Sequence, residues 1–279
     1  MTASHSRALV LGGGGITGIA WETGLLLGLE RHGLSLRAAD LIVGTSAGSV
    51  VAAQIGGPTS LEDLYDAQVA NRAAELAVKL GLVQTLKLVF ALRGTRDERA
   101  ALAKVGDLAV RTSTVEESAR TAVIAQRLPI HTWPAGEVKI TAVNARTGEF
   151  AVFDKSSGID LVLAVAASCA VPLVWPPITI GTERYIDGGM RSVANVDLAA
   201  GFDPVIVIAP QTVGLRKGSA PAQQLARLGA SSSLLVSPDA EARRSMGNNS
   251  LDPTARAGSA VAGLEQADRV AATVSAAWA

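Results

Sequence analysis

The sequence predicts a single α/β domain. Short apolar runs, of the length expected for buried strands, alternate with longer segments of helical pattern, and glycine-rich turns follow the first two runs. The chain has 279 residues, of which 48% are hydrophobic and 18% charged, so it can bury a sizeable core. Without an internal repeat or a linker, one domain is expected to span residues 1–279, with a mainly helical, cap-like insertion at about residues 60–127.

The first part of the chain is predicted to form two strand–turn–helix units. Arg7–Leu11 is a short apolar run, which is typical of a buried strand. After four glycines, apolar residues recur at helical spacing from Gly18 until Gly33, where a glycine can end the helix. Asp40–Val43 is predicted to be the second strand, and Ala47–Gln54 the helix that follows it.

Residues 60–127 lack strand signals and are predicted to form several helices. Leu76, Leu80, Val83 and Leu86 would make one apolar stripe along such a helix. A stripe of this kind is typical of a helix packed on the core. The alternative is a cap or interfacial segment beside an active site.

Strands return in the second half of the chain. Val138–Asn144 and Phe150–Phe153 are separated by a short turn with Gly148, which predicts a hairpin. Ala164–Ala170 is predicted to be helical, because it stops just before Pro172. The remaining predicted elements are the strands Arg184–Ile186 and Pro204–Ala209, a polar loop at Gln211–Pro221 and a closing helix at residues 254–278.

Composition and charge exclude several classes of protein. The formal net charge is zero and there is no basic block, so binding to nucleic acid is not expected. The single cysteine, Cys169, allows no internal disulfide and fits a reducing compartment. The start Met1–Arg7 is polar, unlike a secretory signal, and the longest apolar stretch, Ile159–Ile178, is interrupted by prolines. We therefore expect a cytoplasmic protein, with peripheral membrane contact left open.

The most informative motif is a Gly-x-Ser-x-Gly turn after the second predicted strand. A nucleophile elbow places a serine, here Ser46, between a strand and a helix. Gly44 and Gly48 suit it because the crowded turn needs small neighbours. A helix that begins at Ala47 would point free N–H groups at a developing negative charge. The alternative is an ordinary β–α turn, but the position after an apolar strand favours a functional serine.

A nucleophilic serine needs a base to accept its proton. The triads of ordinary α/β-hydrolases have histidine after both the serine and the acid, but this chain has no histidine beyond His131. We expect His5, His32 and His131 to be solvated or locally bonded. With one cysteine and three scattered histidines, no metal site is predicted.

A tight Asp187-Gly188-Gly189 turn offers a different base. Its carboxylate could act directly on Ser46 if pKa and geometry allow. Most aspartates in such turns only cap the turn, which remains the alternative.

A run of glycines, Gly12–Gly15, follows the first strand. It would expose backbone N–H groups suited to an oxyanion or a phosphate. Residues 13–18 also spell Gly-x-Gly-x-x-Gly, the dinucleotide-binding pattern. That pattern expects an acid at the end of the second strand, but Asp40 precedes the strand and Gly44–Ser46 stands after it. A Rossmann-like nucleotide site and a purely structural turn stay as alternatives.

Together these motifs resemble those of the patatin-like phospholipase family. The glycine loop Gly13–Gly18, the elbow Gly44–Gly48 and the turn Asp187–Gly189 occur in the order that the family carries them. Ala167–Pro172 is similar to a further stretch that the family has before its aspartate. Each motif alone is ordinary, but the ordered set is specific, and the resemblance spans roughly residues 7–210.

The resemblance implies a three-layer α/β/α fold with a central mixed, mainly parallel sheet, and a Ser-Asp dyad acyl hydrolase without cofactor or metal. Ser46 would be the nucleophile and Asp187 the base, acting on a fatty-acyl ester or phospholipid. The chain departs from the family at Thr17, where Arg or Lys is often found. A non-catalytic lipid-binding protein on the same fold is a further alternative. The implied oxyanion hole is formed by the N–H groups of Gly13, Gly14 and Gly15.

Overall fold

A mixed sheet lies at the centre of the computed structural model, which describes residues 6–70, 91 and 97–279. Its order is β5-β6-β3-β2-β1-β7-β8, and β4 pairs with β3. Strands β3, β2, β1, β7 and β8 are parallel, whereas β4 and β6 run antiparallel to β3, and β5 runs antiparallel to β6. The strands are β1 (Ala8–Leu11), β2 (Leu41–Gly44), β3 (Glu137–Asn144), β4 (Phe150–Phe153), β5 (Ile178–Ile180), β6 (Glu183–Asp187), β7 (Val205–Ile208) and β8 (Ser233–Val236).

Helices cover both faces of this sheet. In the described residues they are α1 (Gly15–Arg31), α2 (Ala47–Ile55), α3 (Leu61–Val69), α4 (Glu98–Arg111), α5 (Glu117–Arg127), α6 (Leu161–Ser168), α7 (Pro221–Leu228), α8 (Ala240–Met246) and α9 (Arg256–Trp278). Short 3-10 turns lie at Leu36–Ala38, Gly188–Met190, Val196–Ala199 and Pro253–Ala255. None of these helices combines the length and the apolar character needed to cross a bilayer.

Alternation along β1 separates two of the buried apolar clusters. In β1, Leu9 and Leu11 pack into the larger core with α1, α2, α6 and α9, whereas Ala8 and Val10 face a smaller core that includes α7. Successive side chains of a strand point to opposite faces, so a fully apolar strand serves both cores. The predicted three-layer α/β/α fold with a central mixed, mainly parallel sheet is confirmed.

The last helix holds the first one closely. The indole Nε1 of Trp21 in α1 donates to Gln266 of α9 at 3.0 Å in the buried interface. A Cβ added to Gly263 would lie 2.2 Å from the Trp21 carbonyl oxygen, so the backbones approach closely only because that side chain is absent. Helix α1, which follows the glycine loop, is therefore anchored by the carboxyl end of the chain.

The predicted strands lie within one or two residues of β1, β2, β3, β4, β6 and β7, and the hairpin of β3 with β4 is present. Strand β5 and helices α7 and α8 were not predicted, because their segments are short and mixed in polarity. Strand β8 was not predicted because it lies at the edge of the sheet and is only partly buried. In the predicted insertion the described helices are α3, α4 and α5. The apolar stripe of Leu76, Leu80, Val83 and Leu86 lies outside the described residues.

Candidate active site

Ser46 lies at a strained turn between β2 and α2. Its φ of 53° and ψ of −114° are rare for a residue with a side chain. A Cβ on Gly44 would lie 2.6 Å from the Cα of Ser49, and one on Gly48 would lie 2.2 Å from the carbonyl oxygen of Leu11. Both glycines are therefore required by close backbone contacts, as the elbow pattern predicts.

Three hydrogen bonds with side chains hold the backbone of Ser46. Its N–H donates to the Ser168 hydroxyl at 2.9 Å. Its carbonyl accepts from the hydroxyl of Ser49 at 2.6 Å and from the thiol of Cys169 at 3.2 Å. The Ala167–Pro172 stretch therefore contacts the elbow directly, through the hydroxyl of Ser168 and the thiol of Cys169.

Asp187 is the last residue of β6 and is almost completely buried. Its N–H donates to the carbonyl of Ala170 at 3.0 Å, and its Oδ1 accepts from the N–H of Gly189 at 2.7 Å. A Cβ on Gly188 would lie 2.4 Å from the Thr141 hydroxyl, so the turn passes too close to β3 for a larger residue. The turn thus fixes the direction of the carboxylate.

The structure brings the side chains of Ser46 and Asp187 together. Burial raises the pKa of Asp187 from 3.8 to about 7, and hydrogen bonding from Ser46 and the Gly189 N–H offsets part of that rise. The positive charge of Arg120 also lowers the pKa. A carboxyl with a pKa near neutrality can both accept and return a proton.

The glycine loop lies against the elbow, and the N–H groups of the loop differ in whether the protein already supplies a hydrogen-bond acceptor. The Gly13 N–H donates to the Val193 carbonyl at 2.6 Å, so it is occupied by the protein. Gly14 and Gly15 stand at the start of α1, and among the described residues their N–H groups have no hydrogen-bond acceptor. A Cβ on Gly14 would lie 2.4 Å from Pro210, which explains the glycine there. Two of the three predicted oxyanion donors are therefore available.

Asn195 joins the two halves of the site from beneath. It is fully buried in the left-handed conformation, with φ of 50°. Its Nδ2 donates to the hydroxyls of Thr45 at 3.0 Å and Thr141 at 3.2 Å, and these hydroxyls lie 2.9 Å apart. The sequence held no signal for this role beyond the tolerance of asparagine for this conformation.

A cavity of about 500 Å³ opens beside Ser46 and Asp187. Its wall is mostly apolar and includes the glycine loop, and α5 contributes Arg120 and Arg127. The exposed side chain of Val213 lies at its rim. The other apolar lining residues include Ile16, Ile19, Val171, Trp175, Met190, Val193 and Leu215.

The alternative groups lie elsewhere. His32 bonds to Asp268 at 2.8 Å and His131 to the carbonyl of Ala125 at 3.0 Å, and neither lines the cavity. In the described part of the chain, no His, Cys, Asp and Glu side chains cluster as a candidate metal site. Asp40 accepts from the N–H of Arg7 at 2.7 Å, at the amino ends of the strands and away from the glycine loop. It is not placed to bind a ribose.

The fold and site define a class: α/β/α proteins in which a serine on a strand–helix turn faces a buried aspartate. The model of the patatin-like phospholipase family matches residues 9–200. The chain belongs to this family, and with it to the hydrolases that act on carboxylic esters, in general terms the lipid acyl hydrolases.

Several solved structures have a similar fold. VipD from Legionella pneumophila is 11% identical, with a TM-score of 0.47, over 96% of this chain and 67% of VipD. The type III effector ExoU is 14% identical, with a TM-score of 0.46, over 96% of this chain and 53% of ExoU. ExoU in complex with SpcU from Pseudomonas aeruginosa is 15% identical, with a TM-score of 0.43, over 98% and 52%. The chain thus spans about half the length of ExoU. No curated protein matches the chain in sequence.

Proposed function

We propose that this protein hydrolyses fatty-acyl esters through a Ser46–Asp187 dyad and an acyl-enzyme intermediate. The observation that carries the proposal is the buried Asp187 carboxyl beside the Ser46 hydroxyl, with a pKa of about 7. The carboxylate accepts the proton while the hydroxyl oxygen of Ser46 attacks the ester carbonyl. Asp187 thus takes the place of the histidine that ordinary triads use.

The tetrahedral intermediate carries a negative oxygen that needs fixed donors. The N–H groups of Gly14 and Gly15 suit this task, because they stand beside Ser46 at the amino end of α1, where the helix dipole is positive. The Gly13 N–H, bonded to Val193, instead holds the loop in place. We therefore assign the oxyanion hole to Gly14 and Gly15.

The first half of the reaction ends when Asp187 gives its proton to the leaving alcohol and the acyl group stays on Ser46. In the second half, water attacks the acyl-enzyme while Asp187 accepts a proton from it. The fatty acid then leaves as Ser46 recovers its proton. The apolar wall of the cavity would hold the acyl chain.

Contact with a lipid surface is the second part of the proposal. Val213 is 79% exposed and Leu215 46% exposed, and both line the mouth of the cavity. Arg216 and Lys217 follow them directly, so the loop combines apolar and basic side chains, as lipid-binding segments do. We propose that this loop contacts the lipid surface. We further propose that the predicted insertion at residues 60–127 forms part of a cap in the same domain. The proposed location of the protein is the cytoplasm.

Labelling with a fluorophosphonate, followed by mass spectrometry, tests the mechanism. We expect the label on Ser46, and loss of p-nitrophenyl ester hydrolysis in Ser46→Ala and Asp187→Asn while both variants stay folded. Ser156→Ala is the matched control, because this exposed serine donates its hydrogen bonds to Asp154 in its own turn. Retained hydrolysis in Ser46→Ala would refute the mechanism. Vesicle binding without any labelling would instead indicate a non-catalytic lipid-binding protein.

A further inference from the structure

Helix α5 carries a buried cation into the cavity. Arg120 is only 3% exposed, and its guanidinium carbon lies 4.0 Å from the centroid of the Trp175 ring. The Trp175 ring therefore covers one face of the guanidinium, and the Arg120 side chain lines the same cavity as Ser46. Arg127, the last residue of the same helix, is half-buried and also lines the cavity.

Both ends of α5 are attached to the body of the domain. The carboxylate of Glu117 accepts from the N–H of Thr179 at 2.6 Å and from its hydroxyl at 2.9 Å. At the other end, the carbonyl of Arg127 accepts from the side-chain amide of Gln54 at 2.7 Å. Arg120 lies one turn from Glu117, so its position in the cavity is set before any ligand arrives.

The charge of Arg120 reaches the reacting groups. Burial raises the pKa values of Asp187 and Cys169, and Arg120 offsets part of both rises. Cys169 itself bonds to the carbonyl of Ser46. Besides the Cys169 thiol, the ionisable residues lining this cavity, within the described residues, are the two arginines and Asp187, so the cavity favours an anion. Thr17 in the glycine loop adds no charge.

We propose that Arg120 binds the phosphate of a glycerophospholipid whose acyl ester lies on Ser46, with Arg127 as a second cation on the same wall. In such a lipid only a few bonds separate the ester from the phosphate, so one molecule can reach both groups. The planar guanidinium matches two phosphate oxygens. The inference rests on the proposed hydrolase function and narrows its substrate to phosphate-bearing lipids instead of neutral glycerides.

The test compares a phosphatidylglycerol with a diacylglycerol of identical short acyl chains, both monomeric in solution. For each variant the measured quantity is the ratio of kcat/KM for the two lipids. A change in the pKa of Asp187 affects both lipids equally and cancels in this ratio. We expect Arg120→Gln to lower the ratio at least tenfold and Arg120→Lys to lower it less. Arg111→Gln, an exposed arginine on α4, should leave it unchanged.

A ratio that stays constant in Arg120→Gln, even if both rates fall, would overturn the proposal and make Arg120 a positioning residue for Asp187. If that variant does not fold, the wild-type enzyme decides, since equal or faster cleavage of the diacylglycerol is contrary to the proposal. Inorganic phosphate is tested as an inhibitor of p-nitrophenyl ester hydrolysis. Inhibition that depends on Arg120 without a change in the lipid ratio indicates a free-phosphate site and overturns the headgroup assignment. A wild-type protein that cleaves no ester and takes no fluorophosphonate contradicts the hydrolase function itself.

Discussion

Replacing Asp187 by asparagine tests the role of the buried carboxyl in both activity and stability. Burial raises the pKa of this carboxyl from 3.8 to about 7, although Ser46, the Gly189 N–H and Arg120 all favour the ionised form. The proposed base is therefore protonated in weakly acidic solution and ionised above neutrality. Asparagine has nearly the same shape but cannot take up a proton.

Activity should follow the ionised fraction of Asp187. At pH 5, two units below the pKa, about 1% of the carboxyl is ionised, so kcat/KM should be about 100-fold lower than at pH 9. The assay is hydrolysis of a neutral p-nitrophenyl ester between pH 5 and pH 9, with correction for spontaneous hydrolysis. Asp187→Asn should show no measurable hydrolysis at any of these pH values.

Stability should change in the opposite direction over the same range. Between about pH 4 and pH 7 the folded protein keeps the proton on Asp187 while the unfolded chain has lost it, so the free energy of unfolding falls as the pH rises. At 1.36 kcal/mol per pKa unit, the full effect is about 4 kcal/mol. In urea unfolding, the free energy of unfolding of Asp187→Asn minus that of the wild type should therefore increase by up to about 4 kcal/mol between pH 4 and pH 8.

The comparison has an internal control. Glu22 is also fully buried, and burial raises its pKa, but it is present in both proteins and cancels in the difference. Asp154 lies in an exposed turn, where bonds from Ser156 lower its pKa, so Asp154→Asn should show a small change of the opposite sign. A flat pH profile of kcat/KM, or a constant stability difference between Asp187→Asn and the wild type, would refute the reasoning.

Three further predictions concern the elbow, the helix interface and the lipid-facing loop. Ser168→Ala removes the acceptor of the elbow N–H and should cost about 1–3 kcal/mol in urea unfolding, with a fall in kcat; unchanged values would contradict that hydrogen bond. Gly263→Ala should lose about 3 kcal/mol or more because its new methyl would lie against the α1 backbone, whereas Gly258→Ala on the same helix meets no atom within 4 Å and should gain up to about 1 kcal/mol. Val213→Ser should weaken binding to phosphatidylglycerol vesicles about tenfold in a sedimentation assay, and Val261→Ser, at an exposed position on α9, should not. Equal losses of binding in the two variants would contradict the proposed lipid contact of the loop.

Local patterns were sufficient for most of the fold. The runs that became β1 and β7 are apolar throughout because the strands are buried on both faces, and this property is visible without knowing their neighbours. The elbow was equally visible in the sequence, because its two glycines are required by close contacts. Gly44 lies against residues a few positions later in the chain, and Gly48 lies against the adjacent strand β1. Strand β8 was not predicted, because it lies at the edge of the sheet and is only partly buried.

The ordered motifs in the sequence determined the family and the candidate residues Ser46 and Asp187, because the steric needs of a tight turn are written in adjacent residues. Only the tertiary structure decided which groups surround them. It placed Ser168 on the elbow N–H, engaged the Gly13 N–H with Val193, and brought Arg120 into the cavity. The pKa of Asp187 is likewise a property of the assembled site, because desolvation comes from side chains far apart in the chain.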